Sequence, residues 1–184
     1  MTYGSDLDII FIYDDTEFEF YNQLSEKIIR YSNEYFIKVD PRLRPEGGKG
    51  ILALSLNGYQ DYFNTRASFW ERLAYTRARF IAGDKKLGGQ FTELIDKFVY
   101  QSYLLGKSEI RNPKSAIRND IWDMRLKMQT QAEEKYPGAQ HLKTGYGGLV
   151  DFEFALQYLQ LQCGRKNLAW RTTKMEELLS CFPN

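Results

Sequence analysis

Histidine is nearly missing from this chain. His141 is the single one in 184 residues, which leaves little to build a histidine-activated serine or cysteine nucleophile, or a histidine-rich zinc site. Cysteine is scarce as well. Cys163 and Cys181 stand in no metal-ligand spacing, and such sparse use points to reduced thiols in a cytoplasmic protein. An excess of either charge is also lacking: 25 basic and 24 acidic residues leave a net charge of +1. That balance argues against a nucleic-acid coat and a general membrane binder, so neither partner is expected. The apolar run Ile9–Tyr13 is far too short to span a bilayer, and Met1–Asp8 has the features of no secretory leader. What the chain does have is 43% hydrophobic and 15% aromatic residues over enough length to bury a core.

The stretch around which the rest is organised is Gly4-Ser5-Asp6-Leu7-Asp8, running directly into Ile9-Ile10-Phe11-Ile12-Tyr13. The second part predicts a buried strand, β-branched and aromatic, stopped by Asp14-Asp15. Side chains alternate along a strand, so Asp6 and Asp8 leave one face and Leu7 the other. Two like charges at ~4 Å repel by roughly 4 kcal/mol at an effective dielectric of ~20. Either one is protonated or a divalent cation sits between them, and Mg²⁺ accepts hard oxygen ligands together with substrate phosphates. A solvated strand start satisfies an isolated Asp-x-Asp equally well. The chain also opens almost at once on this charged strand, which leads us to expect a fragment truncated at its N-terminus.

Further along, Phe20, Leu24, Ile28 and Tyr31 recur at helical spacing and predict a crossover helix covering the sheet. Tyr35–Asp40 predicts a second strand, ended by Pro41, which would bring Asp40 beside Asp6 and Asp8. A glycine-rich turn at 46–50 precedes a third apolar strand, Ile51–Leu56, and Asn57-Gly58 marks the end of the sheet. Everything after about Tyr59 predicts helix. The expected core residues are Phe69, Trp70, Leu73, Ala74, Phe80 and Ile81 over Thr65–Ala82, then Phe91, Leu94, Ile95, Phe98, Val99 and Leu105. Asn112-Pro113 starts a helix carrying Ile117, Ile121, Met124 and Met128, and Tyr136-Pro137-Gly138 stops it. The last helix follows the glycines at 145, 147 and 148, with Leu149, Phe152, Leu156, Leu159 and Cys163 on one face and Phe154, Tyr158 and Leu161 on a second. The expected fold class is α+β: a mixed sheet over residues 1–58, then an all-α helical bundle over 59–184.

Three carboxylates, Asp6, Asp8 and Asp40, would suit phosphoryl or nucleotidyl transfer, where metal ions neutralise charge on the attacking and leaving oxygens. Asp40 alone is also an ordinary strand-end acid that could pair with Arg42. Arg42 and Arg44 would share a face in an extended segment, and their guanidinium forks suit phosphate; a solvated turn is the simpler reading. The glycines at 145–148 either aim amides at a phosphate or permit close packing. They are no P-loop, since Lys143 precedes them. Asp151 and Glu153 are two apart on a helix and point in different directions, so at least one is structural. Glu71 and Arg79 are ion-pair candidates.

Taken in order, Gly4-Ser5-Asp6-Leu7-Asp8, Val39-Asp40-Pro41-Arg42-Leu43-Arg44-Pro45, Trp70-Glu71-Arg72 with Arg77-Ala78-Arg79, and Lys143…Gly147-Gly148…Asp151-Phe152-Glu153-Phe154 resemble the glutamine synthetase adenylyltransferase family of the nucleotidyltransferase superfamily. The resemblance implies a nucleotidyltransferase-like sheet, Mg²⁺ held by Asp6, Asp8 and Asp40, and ATP as substrate near Ser5, Arg42, Arg44 and Lys143. It implies AMP transfer to a tyrosine of glutamine synthetase and, through a longer parent, a PII-type signalling protein as a second partner. Family members carry two catalytic halves, one adding AMP and one removing it by phosphorolysis, and Met1–Asp8 is more similar to the adding half. The removing half and a non-catalytic module that binds glutamine synthetase are the alternatives; transfer to RNA or a small molecule fits the Lys143–Phe154 motif less well. One departure is plain: the Gly-Lys-x-Gly-Gly segment that the family carries upstream of the aspartate pair is missing.

Overall fold

Proline has no N–H to donate, and at Pro41 that ends the first ladder of the sheet. The computed structural model describes residues 6–101, 113–138 and 141–182. Strand β1 (Leu7–Asp8) runs parallel to β3 (Val39–Asp40), and β2 (Phe11–Tyr13) runs parallel to β4 (Ala53–Ser55). The expected single strand is thus two short ones. Ile9 N–H still donates to Asp40 C=O at 3.2 Å, but Pro41 offers nothing further, and the chain takes up β4 as its next partner. Parallel pairing requires a crossover, supplied by helix α1 (Phe18–Tyr35).

Helix α1 is turned about its axis from the expected orientation. Phe20, Leu24, Ile28 and Tyr31, the predicted inward stripe, are exposed. Tyr21 instead stacks on Tyr13 with ring centroids 4.9 Å apart, and Ser25 is buried. Asn22 explains the turn: its Oδ1 accepts from the N–H groups of Leu52 and Ala53 at 2.8 and 3.0 Å, and its Nδ2 donates to Phe18 and Ala53 carbonyls. One amide side chain therefore ties the helix to β4, and apolar periodicity does not report it.

Contacts divide the chain into two units, Met1–Ala67 with Phe80–Leu94, and Ser68–Arg79 with Ile95–Asn184. In the first, the sheet ends at Ser55, just before Asn57-Gly58 as expected. Ser55 accepts the Gly58 N–H at 3.1 Å and caps helix α2 (Leu56–Thr65), so both residues lie in its first turn. Tyr59 and Phe63 of α2 pack on Phe91, the Tyr59 and Phe91 rings meeting edge to face at 5.0 Å. Phe91 belongs to helix α4 (Lys85–Asp96), whose start Asp84 caps through the Leu87 N–H.

The second unit contains helix α3 (Phe69–Tyr75), a π-helical turn at Lys97–Gln101, α5 (Pro113–Lys135), α6 (Leu149–Cys163) and α7 (Met175–Leu179). The predicted helix over 65–82 is shorter than expected. Thr76 bonds back to Leu73 through both its N–H and its hydroxyl, which tightens and ends α3. Phe80 and Ile81 are consequently exposed residues of the first unit rather than core. Glu71 accepts the Ser68 N–H at 2.6 Å as half of a capping box, the reason for its burial. On α6 the buried line is Val150, Leu156, Gln157, Gln160 and Leu161, while the expected Leu149 and Phe152 are exposed. Leu105 and Asn112, and the side chain of Ile117, lie outside the described residues.

Replacing Asn22 with Ala should lower stability by about 2–3 kcal/mol, because the N–H groups of Leu52 and Ala53 lose their acceptor. Asn22→Asp, which keeps the acceptor, should fall between Ala and the parent. Urea unfolding followed by circular dichroism checks this; equal midpoints for all three would show that the tether contributes nothing.

Candidate functional site

The register of the first ladder sets Asp8 directly opposite Asp40 and Leu7 opposite Val39. Facing residues of adjacent parallel strands lie about 4.8 Å apart and point the same way. Two residues before Asp8, just ahead of β1, Asp6 leaves the same face, as does Lys38 before β3. This end of the ladder therefore presents three carboxylates and one ammonium. Lys38 Nζ stands 3.4 Å from Asp6. Arg42 engages Asp40 through Nε, at 2.9 and 2.7 Å from its two oxygens, and through Nη2, while the Arg42 N–H donates to the same carboxylate at 2.9 Å. These bonds from Arg42 hold the Asp40 carboxyl below the usual carboxylate range despite its partial burial, and Asp40 in turn raises the Arg42 guanidinium.

As the side chains stand, no three His, Cys, Asp or Glu among the described residues are gathered to hold a metal ion. The donor chemistry nevertheless fits a hard divalent cation: carboxylate oxygens on one face, two of them in register. What occupies the space is the chain's own positive charge. Lys38 was legible in the sequence, being two residues before Asp40 and so on its face.

Arg44 is placed differently from Arg42. The segment after Pro41 turns instead of extending, so the two side chains part. Arg44 is buried, and its Nε, Nη1 and Nη2 donate to the carbonyls of Gly50, Pro41 and Gly48 at 2.9, 2.7 and 3.1 Å. It closes the 41–50 loop on itself. Gly47 there adopts a left-handed φ of 59°, which favours glycine. Ser5 lies outside the described residues.

Lys143 belongs to the second unit, where its side chain is exposed at the start of the glycine loop. The loop turns its amides inward. Gly145 N–H donates to His141, Gly148 to Gly145, Leu149 to Leu142, and Val150 to Lys143. A Cβ at Gly148 would lie within 2.9 Å of three carbonyl oxygens, so close packing is what this glycine permits. Asp151 fastens the loop: it accepts the Gly147 N–H at 2.7 Å and pairs with Arg125, whose Nη2 donates to Gly145 C=O at 2.8 Å. Arg125 is only 5% exposed, on a helix whose methionine and isoleucine spacing does not mark it. Glu153, on another side of α6, lies within the field of Arg77.

These features coincide with a family. A model of glutamate-ammonia ligase adenylyltransferase matches residues 1–94. Proteins called bifunctional glutamine synthetase adenylyltransferase/adenylyl-removing enzyme are similar over most of the chain. That of Psychromonas ingrahamii is 34% identical over 91% of the chain, and that of Streptomyces avermitilis 34% identical over 97%. The Nitrosococcus oceani protein is 35% identical over 85%. The chain belongs to the glutamate-ammonia ligase adenylyltransferase family. It spans 17–19% of the length of these relatives. No helix among the described residues is long and apolar enough to cross a membrane.

The Arg125–Asp151 clamp carries a pH signature. The Arg125 hydrogen bonds, with that from Gly147, hold the Asp151 carboxyl below its ordinary value. Its contribution is thus complete above the ordinary aspartate range and fades as pH falls through the depressed value. Asp151→Asn should cost roughly 2 kcal/mol at neutral pH, less than a fully buried pair because Asp151 keeps some solvent. The difference from the parent should shrink below about pH 4. Paired urea titrations at neutral and acid pH check it; a gap that does not narrow would show that the charge is irrelevant.

Proposed function

We propose that this chain is a nucleotidyl-transfer module, with a nucleotidyltransferase-like sheet in its first unit, that moves AMP from ATP to a tyrosine of glutamine synthetase. The observation that carries the reading is the register of Asp8 opposite Asp40 with Asp6 on the same face. In this reading Asp6, Asp8 and Asp40 hold Mg²⁺, which when bound neutralises phosphate charge and orients the α-phosphate. Asp40 also assists the tyrosine hydroxyl by taking its proton: the phenolic oxygen bonds to the α-phosphorus, the bond from that phosphorus to the bridging oxygen breaks, and pyrophosphate leaves. Arg42, exposed beside these acids, takes phosphate oxygens through its planar fork. Arg44 serves the site by keeping the 41–50 loop closed, and Ser5 and Lys143 are assigned to the nucleotide on motif membership. A PII-type protein is the second proposed partner, and the cytoplasm the proposed location.

The relatives' name covers both addition and removal of the adenylyl group, so the phosphorolytic direction is the second reading. Radiolabelled AMP separates them: label moving from ATP onto glutamine synthetase marks addition, and its release from labelled enzyme with inorganic phosphate marks removal.

Calorimetric titration of MgATP into the chain tests the site itself. Asp8→Asn should weaken Mg²⁺-dependent binding by about tenfold or more, equivalent to ~1.4 kcal/mol. Unchanged affinity in a folded Asp8→Asn variant would overturn the carboxylate assignment.

A further inference from the structure

Asp6 and Asp40 on the β1–β3 face each carry a cation from the same chain, and at Asp40 the two sides of the contact differ sharply in freedom. The side chains of Lys38 and Arg42 are 75% and 76% exposed, whereas the Asp40 side chain is 14% exposed. The acid is fixed by its strand; the cations reach it from solvent on long flexible stems. A cation this exposed is well solvated when it leaves its partner, which keeps the net stability of such a contact small. Lys38 is held at its position by register, opposite Asp6 across the ladder, and Arg42 by its own N–H bonded to the Asp40 carboxylate.

We propose that Lys38 and Arg42 are displaceable counter-cations, which occupy Asp6 and Asp40 in place of a divalent ion and must withdraw when that ion binds. The inference rests on the face being the metal site of the proposed function. Nε and Nη2 between them reach both Asp40 oxygens, so a metal ion on those oxygens would stand against the guanidinium charge. Metal and guanidinium therefore compete for one carboxylate. A triphosphate that draws Arg42 onto its own oxygens removes the competitor, so nucleotide and metal strengthen one another, and by linkage each does so equally. The free metal alone would meet an occupied face.

The test reads metal binding, not turnover. Mn²⁺ is titrated into the full chain without nucleotide, and free ion is followed by electron paramagnetic resonance for the parent, Arg42→Ala, Arg42→Lys, Lys38→Ala and Asp8→Asn. Arg42→Ala should bind Mn²⁺ at least about fivefold more tightly than the parent, the lower end of ordinary coupling between sites. Arg42→Lys, with the charge but not the fork, should fall between them, and Lys38→Ala should gain less. In the parent the Nε–H resonance of Arg42 should move as Mg²⁺ is added. Equal or weaker binding by Arg42→Ala, with Asp8→Asn still abolishing the site, would overturn the counter-cation role and leave the metal site standing. Binding that Asp8→Asn does not alter, or no binding by any variant, would overturn the metal site and the inference with it.

Discussion

Carboxylates set side by side on neighbouring strands repel one another, and a fold that places Asp8 opposite Asp40 must supply positive charge close by. In the first unit that requirement organises what surrounds the ladder. Lys38 stands on Asp6, Arg42 grips Asp40, and the turn after Pro41 brings Arg42 back over the strand it has just left. Arg44, two residues on, acts elsewhere. It gathers three carbonyls and closes the loop that keeps Arg42 within reach. Two arginines that look equivalent as Arg-Leu-Arg thus divide into one exposed and exchangeable and one buried and structural.

The second unit contains the complementary case. Arg125 and Asp151 also form an arginine–carboxylate pair, but here the guanidinium is buried and tied to a loop carbonyl as well. Removing one partner of such a pair strands the other charge in low dielectric. This pair is built to stay, and it fixes the glycine loop whose first residues include Lys143. Burial of the cation is the physical variable separating the two pairs: one can trade its partner for a metal or a phosphate, the other cannot.

Much of this was legible in residue types and spacing. The strand, helix and strand between Asp8 and Pro41 predict neighbouring strands, and the register bears this out for Asp8 and Asp40, whereas the β-branched run after Asp8 pairs with β4 instead. The stop at Tyr136-Pro137-Gly138 and the helix start at Pro113 also fall where expected. Less visible was which side of a helix faces inward. On α1 a single Asn22 outweighs a stripe of four large apolar residues, because its amide satisfies strand N–H groups that no apolar side chain can. On α6 nearly every side is apolar, so periodicity cannot choose, and the Asp151 bond to Arg125 fixes the face.

By itself, then, the sequence determined the chemical vocabulary: three aspartates in or beside short strands, arginines just beyond, glycines before a helix, and motifs enough to place the chain in its family. Those follow from local rules, alternation along a strand and the backbone limits of proline and glycine, which need no distant partner. Tertiary structure alone decided which charge meets which: Lys38 on Asp6, Arg42 on Asp40, Arg44 on its own loop, Arg125 on Asp151. Such pairings depend on register, on where a turn redirects the chain, and on burial, and each is set by contacts that no local rule of the chain contains.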